Sequence, residues 1–214
     1  MFAPTGHDQS YLLTDQRART AIVFVDRPPT LLDADSVVTT NTAGARDGVR
    51  HLLDHGHRRV GYLGDLATIS TAIERYAGYR DALDRAGLEV DPTLSRHDLR
   101  TSAQAQAALL ELLDHDDPPT AVFASQNLIT IGAIRALRQR GLQRTFALVG
   151  FDDISLADLL DLPVTLVVQD VEAMGKLAAE LLFGRLDGDR SPMRQHAVDT
   201  RLVPRGSGEI PAPG

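Results

Sequence analysis

The sequence has no cysteine, and this absence excludes disulfide bonds and metal sites built from thiolates. It also has no apolar run near the roughly 20 residues that a membrane-spanning helix requires. The first residues, MFAPTGHDQSYLL, lack the basic and apolar segments of a secretory signal. From these absences we expect a cytoplasmic protein with no membrane partner.

The chain is also short of positive charge. Its 22 Lys and Arg residues face 29 Asp and Glu residues, which gives a net charge of -7. A negative chain is not expected to hold nucleic acid by its own field. With 214 residues, 43% hydrophobic and 24% charged, it has the composition of a globular protein of one large or two small domains.

Short apolar runs rich in β-branched residues alternate with helical patterns along the chain. Strands are predicted at 21–25, 60–64, 120–124, 146–151 and 164–169. Helices are predicted at about 42–55, 71–86, 102–115, 127–140 and 171–186. Runs that are apolar throughout suit strands buried on both faces of a parallel sheet. The alternation therefore predicts an α/β fold of doubly wound parallel sheets.

Two of these strands end in polar residues. The run TAVFAS is followed by Gln126 and Asn127, and the run FALVGF is followed by Asp152 and Asp153. Because the carboxyl ends of parallel strands share one edge of a sheet, these residues are expected at the crevice where open α/β sheets bind small molecules.

Six segments carry a resemblance to a known family. They are FVDRPP (24–29), HLLDHGHRRVGYLGD (51–65), ERYAGYRDALDRAGL (74–88), PTAVFASQNLITIGAIRALRQRG (119–141), VGFDD (149–153) and VVQDVEAMG (167–175). In this order they resemble the effector-binding core of LacI/GalR-family bacterial transcriptional regulators. The resemblance implies a periplasmic-binding-protein-like clamshell of two α/β lobes, which binds a small-molecule effector such as a sugar and forms a homodimer.

The resemblance also implies a division of the chain. Residues 1–40 and 168–190 would form a partial N-terminal lobe, residues 41–167 and 191–205 the C-terminal lobe, and residues 206–214 a flexible tail. Family members begin with a helix-turn-helix and further βα units, to which nothing before Ala21 corresponds. We therefore expect an incomplete N-terminal lobe, and contact with DNA only through a helix-turn-helix that this chain lacks.

Arg75 and Asp152 are the first candidates for effector binding. Arg75 matches the arginine with which the family binds ligand hydroxyls or a carboxylate, and a planar guanidinium with five donors suits that task. The alternative is a surface arginine paired with Glu74 or Asp81. For Asp152, whose carboxylate suits sugar hydroxyls, the alternative is a cap on the following turn.

The resemblance adds Gln126, Asn127, Gln169 and Asp26 to the effector site. Gln126 and Asn127 stand where the family often has Asn-Asp, so the polar pair is kept and its charge is lost. Asn127 also has the alternative role of capping the next helix. Asp26 has the alternative roles of an ion pair with Arg27 and a turn cap.

Three histidines, His51, His55 and His57, invite a metal site, since the first two are spaced i, i+4. They lie at a helix C-terminus without a suitably placed acidic ligand, so the structural interpretation is favoured and no metal or cofactor is expected. The predicted dimer interface consists of Ile131, Leu156, Leu159 and Leu160, with core packing as the alternative.

The leading hypothesis is the ligand-sensing core of a LacI-type regulator, whose effector modulates DNA binding by the full-length protein. A sugar-binding solute receptor and a non-functional truncated remnant stay open as alternatives. An enzyme is not expected, because the sequence has no nucleophile elbow, P-loop, metal-ligand run or dinucleotide loop.

Overall fold

The fold was obtained as a computed structural model, which describes residues 9–18, 20–155, 157 and 159–214. These residues form two compact units. The smaller unit holds the described residues up to 40, with 68–71 and 169–200, and the larger unit holds 41–67, 72–168 and 201–214. Within the described ranges, no helix has the length and apolar character needed to span a membrane.

The strands and helices follow the predicted alternation. The strands are β1 (Val23–Val25), β2 (Asp35–Thr39), β3 (Val60–Leu63), β4 (Ser95–Arg96), β5 (Ala121–Ala124), β6 (Ala147–Phe151), β7 (Thr165–Gln169), β8 (Gln195–Val198) and β9 (Thr200–Val203). The α-helices are α1 (Leu13–Arg17), α2 (Asn41–Asp54), α3 (Ser70–Arg85), α4 (Ser102–Leu113), α5 (Asn127–Arg140) and α6 (Val171–Leu186). Two short 3₁₀ helices cover Ser10–Leu12 and Pro92–Leu94.

The larger unit is built on a six-stranded sheet with the order β4-β3-β5-β6-β7-β9. The pairs from β4 to β7 are all parallel. Alternate residues of its strands enter two separate cores: Val122 packs with the α4 and α5 side chains, whereas Phe123 packs with those of α2 and α3. Helices thus cover both faces of a parallel sheet, and the predicted doubly wound fold is confirmed.

The smaller unit contains a parallel three-stranded sheet with the order β1-β2-β8. Its first strand packs against α6, where Val23 joins Met174 and Ala178 in one apolar cluster. A buried ion pair lies at the first residue of β2. Arg185 donates to both carboxylate oxygens of Asp35, at 2.6 and 3.0 Å.

The predicted boundaries differ from these units in three places. Residues 68–71 were expected in the C-terminal lobe but belong to the smaller unit. Residues 191–205 were expected to lie together in the C-terminal lobe, but β8 pairs with β2, so residues up to 200 belong to the smaller unit. The expected flexible tail, 206–214, is instead packed on the larger unit. The Ser207 hydroxyl donates to the Leu148 carbonyl at 2.6 Å, and the Ala212 N–H donates to the His55 carbonyl at 3.0 Å.

Helices α2 and α3 approach each other closely at Gly78. A Cβ at this position would lie 2.3 Å from the Thr42 carbonyl oxygen and 2.8 Å from the Ala45 Cβ. Since real Cβ contacts are never that short, glycine is what allows the two helices to pack at this distance. Arg75 lies three residues earlier on α3, and its Nε donates to Asn41 of α2.

Candidate functional site

Asp152 lies at the carboxyl end of β6, in an unusual backbone conformation. Its φ angle is 67°, in the left-handed region that few residues other than glycine adopt, and that Asp tolerates better than most. Its N–H donates to the Val167 carbonyl at 2.9 Å, so the ladder with β7 continues one residue beyond the strand. The conformation turns the chain at the sheet edge and leaves the Asp152 carboxylate on Arg75.

Arg75 is held on several sides. It is only 4% exposed, and its Nη1 and Nη2 donate to the two carboxylate oxygens of Asp152 at 3.0 and 3.3 Å. Nη1 also donates to the Ser125 carbonyl, and Nε donates to Oδ1 of Asn41, both at 2.8 Å. The guanidinium carbon lies 3.8 Å from the centre of the Phe151 ring, a cation–π contact. A buried cation with this many partners is fixed in one orientation.

This arrangement leaves a donor and an acceptor side by side. The bonds to described residues use four of the five N–H groups of Arg75 and leave one hydrogen on Nη2 for a further acceptor. The Asp152 side chain, 21% exposed, is the more accessible partner of the pair. A hydroxyl group can accept from a guanidinium and donate to a carboxylate at the same time, so the pair is suited to a polyhydroxylated ligand.

Asn41 also contacts Arg75, and the sequence analysis did not predict this, since its helix begins at about 42, one residue later. The helix instead begins at Asn41, whose side-chain amide is buried against α3. Its Nδ2 donates to Oε2 of Glu74 at 2.8 Å, while its Oδ1 accepts from Arg75. The alternative of a surface arginine is therefore wrong. No local pattern distinguishes an asparagine that caps a helix from one that binds across to another helix.

Gln126 and Asn127 differ from their predicted roles. Gln126 is the N-cap of α5, and its Oε1 accepts from the Leu128 N–H at 2.7 Å. Its Nε2 lies 3.5 Å from Oδ2 of Asp65, which follows β3 at the same edge. Asn127 is exposed and is the first residue of the helix, with Oδ1 2.7 Å from the same Leu128 nitrogen. The capping role expected for Asn127 falls mainly to Gln126.

Asp26 and Gln169 belong to the smaller unit. Asp26 follows β1 with a φ angle of 72°, and its N–H donates to the Val37 carbonyl at 2.9 Å, the same local geometry as at Asp152. Its carboxylate lies 3.7 Å from Nε of Arg27, so the ion pair considered as an alternative is formed. Gln169 is the half-buried last residue of β7.

The four residues of the predicted dimer interface have different surroundings. Leu159 is 73% exposed, and Ile131 is half-buried on α5. Leu160 is half-buried against the core between the sheet and α4 and α5. Leu156 lies outside the described residues.

The three histidines anchor the C-terminal segment. His51 pairs through Nε2 with the Glu209 carboxylate, and His55 Nδ1 lies 2.8 Å from the His51 carbonyl of its own helix. His57 is fully buried between the Thr120 hydroxyl and the Ile210 carbonyl, both at 2.9 Å. Burial lowers the pKa of His57 below its usual value of 6.5.

Two buried hydroxyls lie under the site. Tyr62 and Ser125 are at most 1% exposed, and neither hydroxyl has a hydrogen-bond partner among the described residues. Burial raises the pKa of Tyr62 to about 12. The nearby Ser125 hydroxyl offsets part of this rise, although the two groups do not meet hydrogen-bond geometry. The sequence contained no signal for this pair.

Comparison with known proteins identifies the family. Residues 49–208 match the family model of the periplasmic binding protein-like domain. The chain is 36% identical over 170 residues to the HTH-type transcriptional regulator CelR of Thermobifida fusca, covering 78% of this chain and 50% of that protein. It is 30% identical over 198 residues to the HTH-type transcriptional repressor CytR of Escherichia coli (strain K12), covering 91% and 58% respectively. The chain thus spans roughly half the length of these relatives.

Solved structures agree with the sequence match. A complex of the transcriptional regulator CelR with cellobiose superposes with a TM-score of 0.80 at 34% identity, covering 86% of this chain and 58% of that one. A LacI-family sugar-binding transcriptional regulator from Escherichia coli, in complex with phosphate, gives a TM-score of 0.83 at 28% identity and covers 100% of this chain and 77% of that one. Family match, relatives and fold lead to one assignment: the chain belongs to the periplasmic binding protein-like family, as an effector-binding core of the LacI-family transcriptional regulators.

Proposed function

We propose that this chain binds a sugar or a similar small polar effector at the sheet edge that carries Arg75 and Asp152. The observation that supports this most directly is the buried guanidinium of Arg75, forked onto Asp152 at 3.0 and 3.3 Å with one N–H left over. A structural ion pair needs no spare donor beside an accessible carboxylate, whereas a hydroxyl-binding site needs both. That a relative, CelR, is solved with cellobiose supports the choice of a sugar.

The chemistry of binding follows from the paired groups. A sugar hydroxyl donates to the Asp152 carboxylate and accepts from Nη2 of Arg75, and both bonds are charge-assisted. Gln126 and Asn127 contribute uncharged amide groups at the end of the neighbouring strand, and the family resemblance adds Asp26 and Gln169 as proposed contacts. Since amides both donate and accept, the side chains of Gln126 and Asn127 favour a neutral polyol over an anion.

In the full-length protein, effector binding would modulate contact with DNA. The relatives are transcriptional regulators, and this chain corresponds to about half of each. We propose a homodimeric, cytoplasmic regulator in which effector and operator bind to different parts of the protein and are linked by a coupling free energy. We propose that the dimer contact includes Leu159, an apolar side chain that is exposed in the segment between β6 and β7. The site would bind its ligand without turnover, because its carboxylate is committed to Arg75 rather than to activating a water.

A thermal-shift screen with a panel of mono- and disaccharides, cellobiose included, tests the proposal. A ligand that binds only the folded state raises the melting temperature. At a hundredfold excess over Kd it raises the free energy of unfolding by roughly 3 kcal/mol. We expect one or a few sugars to raise the melting temperature of the wild type and not that of Arg75→Lys. Arg135→Lys, on the exposed part of α5, is the matched control and should respond like the wild type. A panel without any effect would contradict the proposal.

A further inference from the structure

We propose that Asn41 is a positioning residue for the effector site, which holds the Arg75 guanidinium in the orientation that a ligand requires. The inference rests on the proposed function. Asn41 does not need to touch the ligand to act in this way. It binds the Nε edge of Arg75, whereas Asp152 and Ser125 bind the Nη end.

The two ends of the guanidinium have different hydrogen-bond partners. The Nη groups donate to the Asp152 carboxylate and the Ser125 carbonyl, so these three bonds hold one end of the planar guanidinium. The Nε–H bond to Oδ1 of Asn41, 2.8 Å long, fixes the opposite edge of the same plane. With both edges held, the remaining Nη2 hydrogen points in one direction. Loss of the Asn41 bond would let the guanidinium change its orientation while the ion pair with Asp152 remains.

An amide is the group that this position demands. One atom must accept from Arg75, and another must donate to the Glu74 carboxylate, 2.8 Å away. Only Asn and Gln side chains carry an acceptor and a two-hydrogen donor together, and Asn is the shorter. The two partners also fix which way the amide faces, since the reverse orientation would set its NH₂ group against Nε–H and its oxygen against a carboxylate. A carboxylate at position 41 would repel Glu74 and compete with Asp152 for the cation.

Burial makes the arrangement rigid. Asn41 is 1% exposed, and Arg75 is 4% exposed. The bond between them is buried from water, so water cannot readily replace a missing partner at the Nε edge. Helices α2 and α3, which carry these two residues, pack closely because position 78 is a glycine. Through its bond to Nε, Asn41 therefore makes the orientation of the Arg75 guanidinium depend on the packing of α2.

The test combines ligand titration with a signal from Arg75 itself. Titration calorimetry uses whichever sugar of the panel binds the wild type, with Asn41→Ala, Asn41→Asp and Asn41→Asp combined with Glu74→Gln. We expect Asn41→Ala to bind about tenfold more weakly, the effect of one lost hydrogen bond. Asn41→Asp should be weaker still. The added Glu74→Gln should recover part of the loss, because it removes the repulsion. Gln106→Ala, which breaks an exposed amide pair with Gln139, is the control and should bind like the wild type.

The Arg75 Nε–H resonance in a ¹⁵N NMR spectrum separates this inference from the proposed function. Its chemical shift should differ between the wild type and Asn41→Ala, with or without a ligand, because the hydrogen bond to Oδ1 of Asn41 is lost. A lower melting temperature of Asn41→Ala at unchanged affinity would show a purely structural role and overturn the inference. So would an unchanged Nε–H signal. Absence of sugar binding by the wild type would refute the proposed function, and the NMR comparison would still decide whether Asn41 holds Arg75.

Discussion

Arg75 and Asp152 form a two-point ion pair, with bonds of 3.0 and 3.3 Å, across a separation of 77 residues in the chain. One residue comes from helix α3 and the other from the turn after β6, so the pair exists only when the sheet and its covering helices are assembled. The pair neutralises a buried cation, and we propose that it also presents a donor and an acceptor to a ligand.

The first prediction concerns the stability contributed by this pair. Asp152→Asn keeps a side chain that tolerates the left-handed backbone but removes the charge, so Arg75 becomes a buried cation without its counter-ion. We expect the free energy of unfolding to fall by about 2–4 kcal/mol in urea denaturation. The neighbouring Asp153 is 60% exposed and pairs with Arg205, so Asp153→Asn should cost about 1 kcal/mol or less. Equal losses for both variants would show that burial of Arg75 does not depend on Asp152.

The second prediction compares two buried tyrosines. The Tyr79 hydroxyl donates to the Val60 carbonyl at 2.8 Å, whereas the Tyr62 hydroxyl has no partner among the residues that the structure describes. Tyr79→Phe should therefore lower the free energy of unfolding by about 1 kcal/mol. Tyr62→Phe removes an unsatisfied polar group and should leave stability unchanged or raise it slightly. Chemical denaturation of both variants gives the comparison, and a clear loss in Tyr62→Phe would contradict it.

The third prediction uses two helical glycines. Gly78→Ala forces a Cβ to within 2.3 Å of the Thr42 carbonyl oxygen, so α3 must move and the protein should lose about 1–3 kcal/mol of stability. An added Cβ at Gly175, in α6, would have no atom of the described residues within 4 Å beyond its own helix backbone and chain neighbours. Gly175→Ala should thus stabilise the protein by about 0.5–1 kcal/mol through a less flexible unfolded chain. Opposite shifts in melting temperature are expected. Two shifts of the same sign would contradict the close packing of α2 on α3.

The fourth prediction concerns pH. Burial lowers the pKa of His57 below 6.5, so between the folded and unfolded pKa values the unfolded chain binds more protons. The stability that this residue contributes is complete above pH 6.5 and falls as the pH is lowered through that interval. Denaturation midpoints from pH 8 to pH 5 should drop more steeply in the wild type than in His57→Gln. The same slope for both proteins would show that His57 protonates as easily in the folded state as in the unfolded chain.

The hydrophobic pattern predicted strands that are apolar throughout and missed β2, which is not. The predicted runs at 120–124 and 146–151 correspond to β5 and β6, because strands buried on both faces carry no polar positions. Strand β2 escaped prediction because it opens with Asp35 and Ser36, which read as a loop. Asp35 is nevertheless fully buried, since Arg185 pairs with its carboxylate, and that partner is 150 residues away.

The candidate site, too, could be predicted only in part from the sequence. Arg75 and Asp152 were predicted from motifs, and the structure brings them together. The role of Asn41, and the lack of a partner for the Tyr62 hydroxyl among the described residues, could not be predicted, because both depend on which side chains face them across two elements. The predicted start of the helix at 127 agrees with that of α5, but which of the adjacent amides, Gln126 or Asn127, caps the helix depends on side-chain contacts that a sequence pattern does not show.

Titration calorimetry of the wild type and Asp152→Asn, with the sugar that raises the melting temperature most, tests the central claim most directly. We predict saturable binding at a single site per chain in the wild type, and a loss of affinity of at least about tenfold in Asp152→Asn at a temperature where both proteins are folded. Equal affinities in the two proteins would contradict the account, since the ligand would then bind elsewhere than at the Arg75–Asp152 pair.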